Sequence, residues 1–296
     1  MIIGFFIMKH TSVRIIFLLL ILSFSLLGFW CTTTMHSLRH KIDSQTLIIA
    51  HRGSSSTAPE NSLVSIEQAI LSQADLIELD FHLSTQGELL VLHDHLVQEE
   101  SIWSFSKEKF LGLDITKPEK FAGAYTDVHP PLLEDTLASI LRKSTPLIEY
   151  KRNPETPEES AKQAAIALIN LLYDHNWQNK VVIQSFDVQF LAYCRAIEPE
   201  LILGWLIMDE VLIHIETIER EINPEIIAWK RDQLTAENIA WIKERSDARI
   251  WSWYSGEDKV NDPAYTLYML QQGIEGIITD YPAQARVVLK WKQGQE

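Results

Sequence analysis

The sequence is poor in cysteine and in positive charge. Only Cys31 and Cys194 occur among its 296 residues, which excludes a disulfide framework. We interpret Cys194, in a helical pattern, as a buried structural thiol. Lys and Arg number 26 against 40 Asp and Glu, so the formal net charge is −14. A body this acidic is repelled by nucleic acid. We therefore predict no nucleic-acid partner, and an anionic substrate needs local positive groups to bind it.

A hydrophobic run of comfortable membrane-spanning length is also absent. Residues 15–30 are apolar and follow Lys9 and Arg14, but they are fewer than the roughly 20 residues of a spanning helix. The pattern predicts an export signal or membrane anchor over residues 1–35, then a polar linker over residues 36–45. We predict export to the cell envelope, either periplasmic or attached to the membrane by this segment. A lipid-modified Cys31 is less favoured, because Trp30 precedes it where a small residue is usual.

Solenoid-length repeats are absent too, and from residue 46 onward apolar runs alternate with helical patterns. The runs predicted as strands are residues 47–50, 76–81, 147–151, 181–186, 201–207, 226–230, 249–254 and 276–280. Eight strands separated almost throughout by helices predict an α/β fold, a TIM-like (β/α)8 barrel. We predict one barrel domain over residues 46–296. An insertion follows the second strand at about residues 95–130, where periodicity is lost.

Charged side chains cluster where these predicted strands end. Glu78 and Asp80 are two residues apart in one strand, so both point to the same face. Two buried carboxylates repel unless a cation or a shared proton relieves them, and a hard divalent metal is the simplest relief. Glu149 and Lys151 repeat the spacing in the next strand. Three acids exceed what one lysine neutralises, which favours a metal site.

Four short motifs occur in a characteristic order: H-R-G (51–53), P-E-N-S (59–62), E-L-D (78–80) and H-D (93–94). Together they resemble the glycerophosphodiester phosphodiesterase family, from about residue 46 to the C-terminus. The resemblance implies that His51 and His93 are the catalytic pair. It also implies that one Ca²⁺ or Mg²⁺ ion is bound by the family's metal ligands, which correspond to Glu78, Asp80 and Glu149.

The remaining site residues are assigned by their chemistry. Arg52 can hold phosphate oxygens by its planar fork and Lys151 as a point charge. Glu60 and Trp253 are candidate substrate-cleft residues. One imidazole deprotonates the attacking oxygen and the other protonates the leaving alcohol, with His51 assigned as base and His93 as acid in an order that the sequence leaves open. We interpret a further group as solvated or structural: His82, His95, His129 and Lys230.

The family pattern is not complete. Gln86 stands where an Asp is customary, and the family's W-T-V-N is W-S-W-Y at residues 251–254. These departures affect recognition of the alcohol rather than the metal or acid–base groups. We predict a metal-dependent hydrolase that splits small-molecule glycerophosphodiesters into glycerol 3-phosphate and an alcohol. The alternatives are a phospholipase D-type enzyme of the same fold acting on lysophospholipids, a catalytically inactive envelope binding protein, and an unrelated metal-using barrel such as an aldolase.

Overall fold

A computed structural model describes residues 37–208, 215–254 and 263–295. The predicted signal or anchor, residues 1–35, lies outside these ranges. Residues 37–44, within the predicted linker, are helical, with Leu38 and Ile42 one turn apart. In the described ranges, no helix has both the length and the apolar character needed to cross a membrane.

The strands and helices of the barrel alternate along the chain. The strands are β1 (Leu47–Ala50), β2 (Leu76–Leu83), β3 (Leu89–Leu90), β4 (Leu96–Val97), β5 (Glu100–Ser101), β6 (Thr145–Tyr150), β7 (Val182–Ser185), β8 (Ile202–Ile207), β9 (Ile226–Lys230), β10 (Arg249–Trp253) and β11 (Gly276–Thr279). The helices are α1 (Leu63–Leu71), α2 (Lys107–Leu111), α3 (Leu133–Ile140), α4 (Ser160–Asp174), α5 (Val188–Ile197), α6 (Ile215–Glu221), α7 (Ala236–Lys243), α8 (Pro263–Gln271) and α9 (Pro282–Gln293).

Eight of the strands pair in parallel in the order β1-β11-β10-β9-β8-β7-β6-β2, and a β1–β2 pairing closes the ring. The predicted (β/α)8 barrel is therefore confirmed. Its strands are continuous apolar runs because helices cover them outside and side chains fill the interior. Strand β1, for example, is buried along its whole length. Ser62 caps the N-terminus of helix α1: its hydroxyl accepts a hydrogen bond from the amide of Ser65, and the Ser65 hydroxyl accepts one from the amide of Ser62.

The predicted insertion after β2 carries its own small elements. Strand β3 runs antiparallel to β2, and β4 and β5 form a short hairpin. Ile102, Phe105 and Phe110 are buried together in a small apolar cluster of this segment. The Tyr125 hydroxyl donates to the carbonyl of Thr57 at 2.8 Å. The insertion therefore packs against the loop that follows β1.

Gly276 at the start of β11 faces the indole of Trp251, which is fully buried. A methyl group at position 276 meets three ring atoms of Trp251 at 2.6–2.7 Å. We expect Gly276→Ala to lower the free energy of unfolding by about 1–3 kcal/mol, because the indole must leave its packed position. Urea unfolding measures this change. Gly294→Ala is the matched control, since its methyl group makes only ordinary contacts at 3.6 Å; an equal loss in both variants contradicts the steric cause.

Candidate active site

The charged residues predicted from the strand ends meet at the mouth of the barrel. A cavity of about 200 Å³ is lined there by a set of predicted site residues: His51, Arg52, His93, Glu149, Lys151 and Trp253. Glu78 and Asp80 are completely buried in β2. Glu60 reaches the site through Arg52, with Nη1 of Arg52 3.3 Å from Oε1 of Glu60. The structure therefore brings all nine predicted site residues to one region.

Three carboxylates form the floor of this site. Glu78, Asp80 and Glu149 each offer an oxygen within 4.8 Å of the others, and all three side chains are buried. The parallel pairing of β2 with β6 sets this geometry, because Asp80 lies directly beside Glu149 in the register. Glu78 follows on the same face two residues earlier. The two-residue spacing brings Glu78 and Asp80 together, and the pairing of β2 with β6 adds Glu149.

Two cations already lie against these acids. Lys151 Nζ is 2.5 Å from Oε1 of Glu149 and 3.3 Å from Oδ1 of Asp80. Arg52 Nε is 3.2 Å from Oδ2 of Asp80. Burial disfavours the charged forms of both cations, yet the acids raise the pKa of Arg52 and of Lys151 above their usual values. Two positive charges against three carboxylates leave one carboxylate without a counter-ion.

Glu78 is the carboxylate of the three that forms no ion pair with Arg52 or Lys151. Its Oε2 accepts the backbone amide of Arg52 at 2.8 Å, but Oε1 is buried and has no hydrogen-bond partner in the described part of the chain. Burial raises the pKa of Glu78 well above its ordinary value, and the negative charges of Asp80 and Glu149 add to this. Burial opposes the ionisation of Asp80 as well, but Lys151 and Arg52 hold its pKa well below its usual range.

The site fits a hard divalent cation. Carboxylate oxygens are the ligands that Ca²⁺ and Mg²⁺ prefer, and the unpartnered Oε1 of Glu78 is an orphaned acceptor of that kind. A bound cation offsets the repulsion among Glu78, Asp80 and Glu149. These three residues could hold the ion, as the sequence predicts.

The raised pKa of Glu78 makes stability depend on pH and on the cation. Without a cation, folded protein keeps a proton on Glu78 above about pH 4.5, where the unfolded chain loses it. The folded state then binds more protons, so this group lowers the free energy of unfolding as pH rises. We expect stabilisation by saturating Ca²⁺, relative to chelator, to be larger at pH 8 than at pH 5. Urea unfolding under the four conditions tests this, and an equal difference at both pH values contradicts it.

The two predicted catalytic histidines have different surroundings. His51 Nδ1 lies 2.6 Å from Oδ1 of Asp280, which follows β11. His93 Nδ1 lies 2.8 Å from Oδ1 of its neighbour Asp94. Burial lowers the pKa of His93, although the charge of Asp80 opposes this. Each imidazole thus has a carboxylate on Nδ1, which leaves its Nε2 for proton transfer.

His82 holds the loop that carries His93. Its Nε2 lies 3.1 Å from the carbonyl oxygen of His93, so Nε2 must be the donor. Burial lowers the pKa of His82 to about 4, which keeps the ring neutral at physiological pH. The structural interpretation of His82 agrees with this position. The hydrogen bond to the His93 carbonyl shows that this buried side chain supports a site residue.

The loop after β1 requires unusual backbone geometry. Gly53 has a φ of +78°, and a Cβ there lies 2.6 Å from the backbone carbon of Ser65. Arg52 also has a positive φ, of 54°, and this conformation aims its amide at Glu78. Asn61 donates from Nδ2 to Oδ2 of Asp80 at 2.8 Å. The H-R-G and P-E-N-S motifs therefore build the support beneath the carboxylates as well as supplying side chains.

One wall of the cavity is apolar and consists of Phe186, Leu206, Met208, Trp253 and Ile278. The Trp253 indole donates its N–H to the carbonyl of Ile207 at 3.0 Å, and its ring lies edge-on to Phe186 at 5.3 Å between centroids. The one polar atom of the indole is therefore satisfied, and the ring can serve as an apolar surface. Trp253 therefore lines the cavity, and its role as a substrate-cleft residue stays a prediction.

Three further residues of this site have no site role assigned from the sequence, although Asp280 falls at a predicted strand end and Asn61 in the loop after the first strand. Gln184 lines the cavity and donates from Nε2 to Oε2 of Glu149 at 3.4 Å. Asp280 contacts His51, and Asn61 contacts Asp80. The signal available for Gln184 and Asp280 was their place at the end of a barrel strand. Nothing in the local sequence shows which side chain each would meet.

Comparison with known proteins places this geometry in a family. The sequence profile of the glycerophosphoryl diester phosphodiesterase family matches residues 51–246. A glycerophosphodiester phosphodiesterase of Bacillus subtilis is 29% identical, covering 89% of this chain and 94% of its own. A lysophospholipase D of Mus musculus is 25% identical, covering 84% of this chain and 83% of its own.

Solved structures show the same fold. A phosphodiesterase of Oleispira antarctica, in complex with the product sn-glycerol-3-phosphate, superposes with a TM-score of 0.71 at 20% identity, covering 83% of this chain and 97% of its own. The match of the family profile extends over the segment that carries both histidines and all three carboxylates. The chain belongs to the glycerophosphoryl diester phosphodiesterase family.

Proposed function

We propose that the protein hydrolyses glycerophosphodiesters to glycerol 3-phosphate and an alcohol, with one divalent cation, Ca²⁺ or Mg²⁺, as cofactor. Family membership makes it a phosphoric diester hydrolase. The observation that carries the proposal is a buried triad of carboxylates beneath a cavity that also holds two imidazoles. A binding protein needs no such pair of proton-transfer groups.

The two imidazoles divide the proton transfers. His51 takes a proton from the attacking oxygen as that oxygen bonds to phosphorus. His93 donates a proton to the bridging oxygen as its bond to phosphorus breaks and the alcohol leaves. The attacker is water, or a neighbouring hydroxyl of the substrate that gives a cyclic phosphate for water to open. In both cases one water is consumed for each diester.

Arg52 and Lys151 bind the phosphate oxygens. Glu78, Asp80 and Glu149 would hold the cation, which when bound would supply Lewis-acid stabilisation of the negative charge that develops on the phosphate. With the carboxylates balanced by such an ion, the positive charges of Arg52 and Lys151, which pair with Asp80 and Glu149 in the structure, would be available to the substrate. The positive side chains of Arg52 and Lys151 can thus attract an anionic substrate although the protein has a net charge of −14.

Turnover of glycerophosphocholine by the purified full-length protein tests the proposal. We expect release of glycerol 3-phosphate that stops with chelator and returns when Ca²⁺ or Mg²⁺ is added in excess. Choline release measured in parallel confirms which bond is broken. Activity that persists in chelator after exhaustive dialysis, or an absence of turnover with either ion, contradicts the proposal.

A second candidate is lysophospholipase D activity at the same site. The apolar wall formed by Phe186, Leu206, Met208, Trp253 and Ile278 favours it, because an acyl chain can lie against such a surface. The relative in Mus musculus named as a lysophospholipase D adds support. The ratio of kcat/KM for lysophosphatidylcholine to that for glycerophosphocholine decides between the two. A ratio above one favours the second candidate, and Trp253→Ala then lowers that ratio selectively.

A further inference from the structure

Asp280 stands next to His51 across the seam where the barrel closes. Strand β1 pairs with β11 with Ala50 beside Thr279, and the amide of His51 donates to the carbonyl of Thr279 at 2.9 Å. The residues that follow each strand are therefore neighbours. Their side chains meet at 2.6 Å between His51 Nδ1 and Asp280 Oδ1. This contact joins positions that are 229 residues apart in the chain.

The carboxylate of Asp280 is itself held in place. The Ser55 hydroxyl, in a residue that is 2% exposed, donates to the same Oδ1 at 2.9 Å. The amide of Ser56 donates to the Asp280 carbonyl at 3.3 Å. Burial opposes ionisation of Asp280, yet the hydrogen bond from His51 and the charge of that ring lower its pKa to about 2. Asp280 is thus a fixed, ionised acceptor.

An ionised carboxylate can only accept hydrogen bonds, so the hydrogen of a neutral His51 ring lies on Nδ1. The lone pair then lies on Nε2. Because His51 also lines the cavity, Nε2 is the ring nitrogen left to take a proton from the attacking oxygen. A base needs this tautomer before the reaction begins.

His93 lacks an equivalent support. Its partner Asp94 is the adjacent residue, and the Asp94 side chain is 71% exposed, against 31% for Asp280. Water competes with an exposed carboxylate for hydrogen bonds. The two imidazoles are therefore unequal, and the one whose tautomer is fixed in advance is His51.

We propose that Asp280, fixed by Ser55, is a positioning residue that makes His51 the general base and leaves His93 as the acid. This inference rests on the proposed hydrolysis at the same site. Asp280 is neither among the residues that line the cavity nor in the carboxylate triad, and it acts through the imidazole of His51. A carboxylate that orients a catalytic imidazole in this way recurs on unrelated folds.

A double-mutant cycle separates this role from a purely structural one. The substrate is the p-nitrophenyl diester of glycerol 3-phosphate, whose leaving group needs no acid, in the presence of Ca²⁺ or Mg²⁺. We expect Asp280→Ala to lower kcat by about 10- to 100-fold, the range for loss of a partner that orients a histidine. In the His51→Ala background the same change should alter kcat by less than about twofold. Equal losses in both backgrounds overturn the proposal.

Two matched variants complete the kinetic test. Asp127→Ala removes the carboxylate from another Asp–His pair, since Asp127 contacts His129 at 3.0 Å on the surface, and it should leave kcat within about threefold. His93→Ala should lose far less activity on the p-nitrophenyl diester than on glycerophosphocholine, because only the second needs an acid. If Asp280→Ala shows that leaving-group dependence instead, His51 is the acid and the assignment is overturned.

The tautomer can be observed without turnover. Nitrogen-15 spectra of histidine-labelled protein, with His51→Ala to assign the resonances, should show His51 protonated on Nδ1. Asp280→Ala should convert this signal to a mixture of tautomers. A wild-type ring protonated on Nε2 overturns the proposal. Absence of turnover by the wild-type protein counts against the proposed function, and the spectra still decide the inference about Asp280.

Discussion

Replacement of His51 by alanine should lower kcat for glycerophosphocholine by about 10²- to 10⁴-fold, the usual contribution of a positioned general base or acid. Without the imidazole, the attacking oxygen must lose its proton to solvent while it bonds to phosphorus. KM should change little, because Arg52 and Lys151 still line the cavity and bind the phosphate. Steady-state measurement of glycerol 3-phosphate release provides both constants.

The control for this variant is His175→Ala. His175 lies at the C-terminal end of α4, where it pairs with Glu134 at 3.0 Å and stacks on Trp177, and it is not among the residues that line the cavity. Its loss should leave kcat unchanged within about threefold. Retention of more than a third of the wild-type kcat by His51→Ala is incompatible with a role in proton transfer.

The barrel was predictable because its strands carry their own signals. Seven of the eight predicted runs end at a polar residue or a turn, and burial on both faces makes such runs distinct from amphipathic helices. The two-residue spacing of Glu78 and Asp80 likewise predicts a shared face without any tertiary information. Local periodicity therefore accounts for the fold and for two of the three carboxylates that could hold a cation.

The contacts that cross the barrel were not predictable in the same way. Asp280 follows β11 and meets His51 only because β1 and β11 are neighbours with Ala50 beside Thr279. Arg52 was assigned to phosphate, and the structure shows it also paired with Asp80 at 3.2 Å. Each contact depends on strand register and barrel closure, which no single stretch of sequence contains. The strand ends identify the candidates, and the register identifies their partners.

Replacement of Glu78 by glutamine should weaken Ca²⁺ or Mg²⁺ binding by about 100-fold or more. Loss of a residue that only orients a metal ligand costs about 10- to 100-fold in affinity, and Glu78 offers a ligand oxygen directly. The glutamine keeps the shape of the side chain and an oxygen for the amide of Arg52, but it removes one of three charges that attract the cation. Isothermal titration calorimetry measures the affinity without reference to turnover.

Although Glu78→Gln should weaken cation binding, it should not lower the stability of the protein in chelator. In the absence of a cation, Glu78 is a buried acid whose charged form is opposed by burial and by Asp80 and Glu149, as its raised pKa shows. A neutral amide at this position relieves that conflict, so Glu78→Gln should unfold at the same or a higher urea concentration than the wild-type protein at pH 8. Weaker metal binding together with undiminished stability cannot result from misfolding.

The matched control is Glu237→Gln in the first turn of α7, where the side chain is exposed and outside the triad. It removes the same charge from the protein as a whole, so any loss of cation affinity caused by net charge alone appears in both variants. We expect the control to bind Ca²⁺ with wild-type affinity. Equal affinities in Glu78→Gln and Glu237→Gln rule out the carboxylate triad as the cation site, because an ion held by Glu78, Asp80 and Glu149 must respond to the loss of one of them.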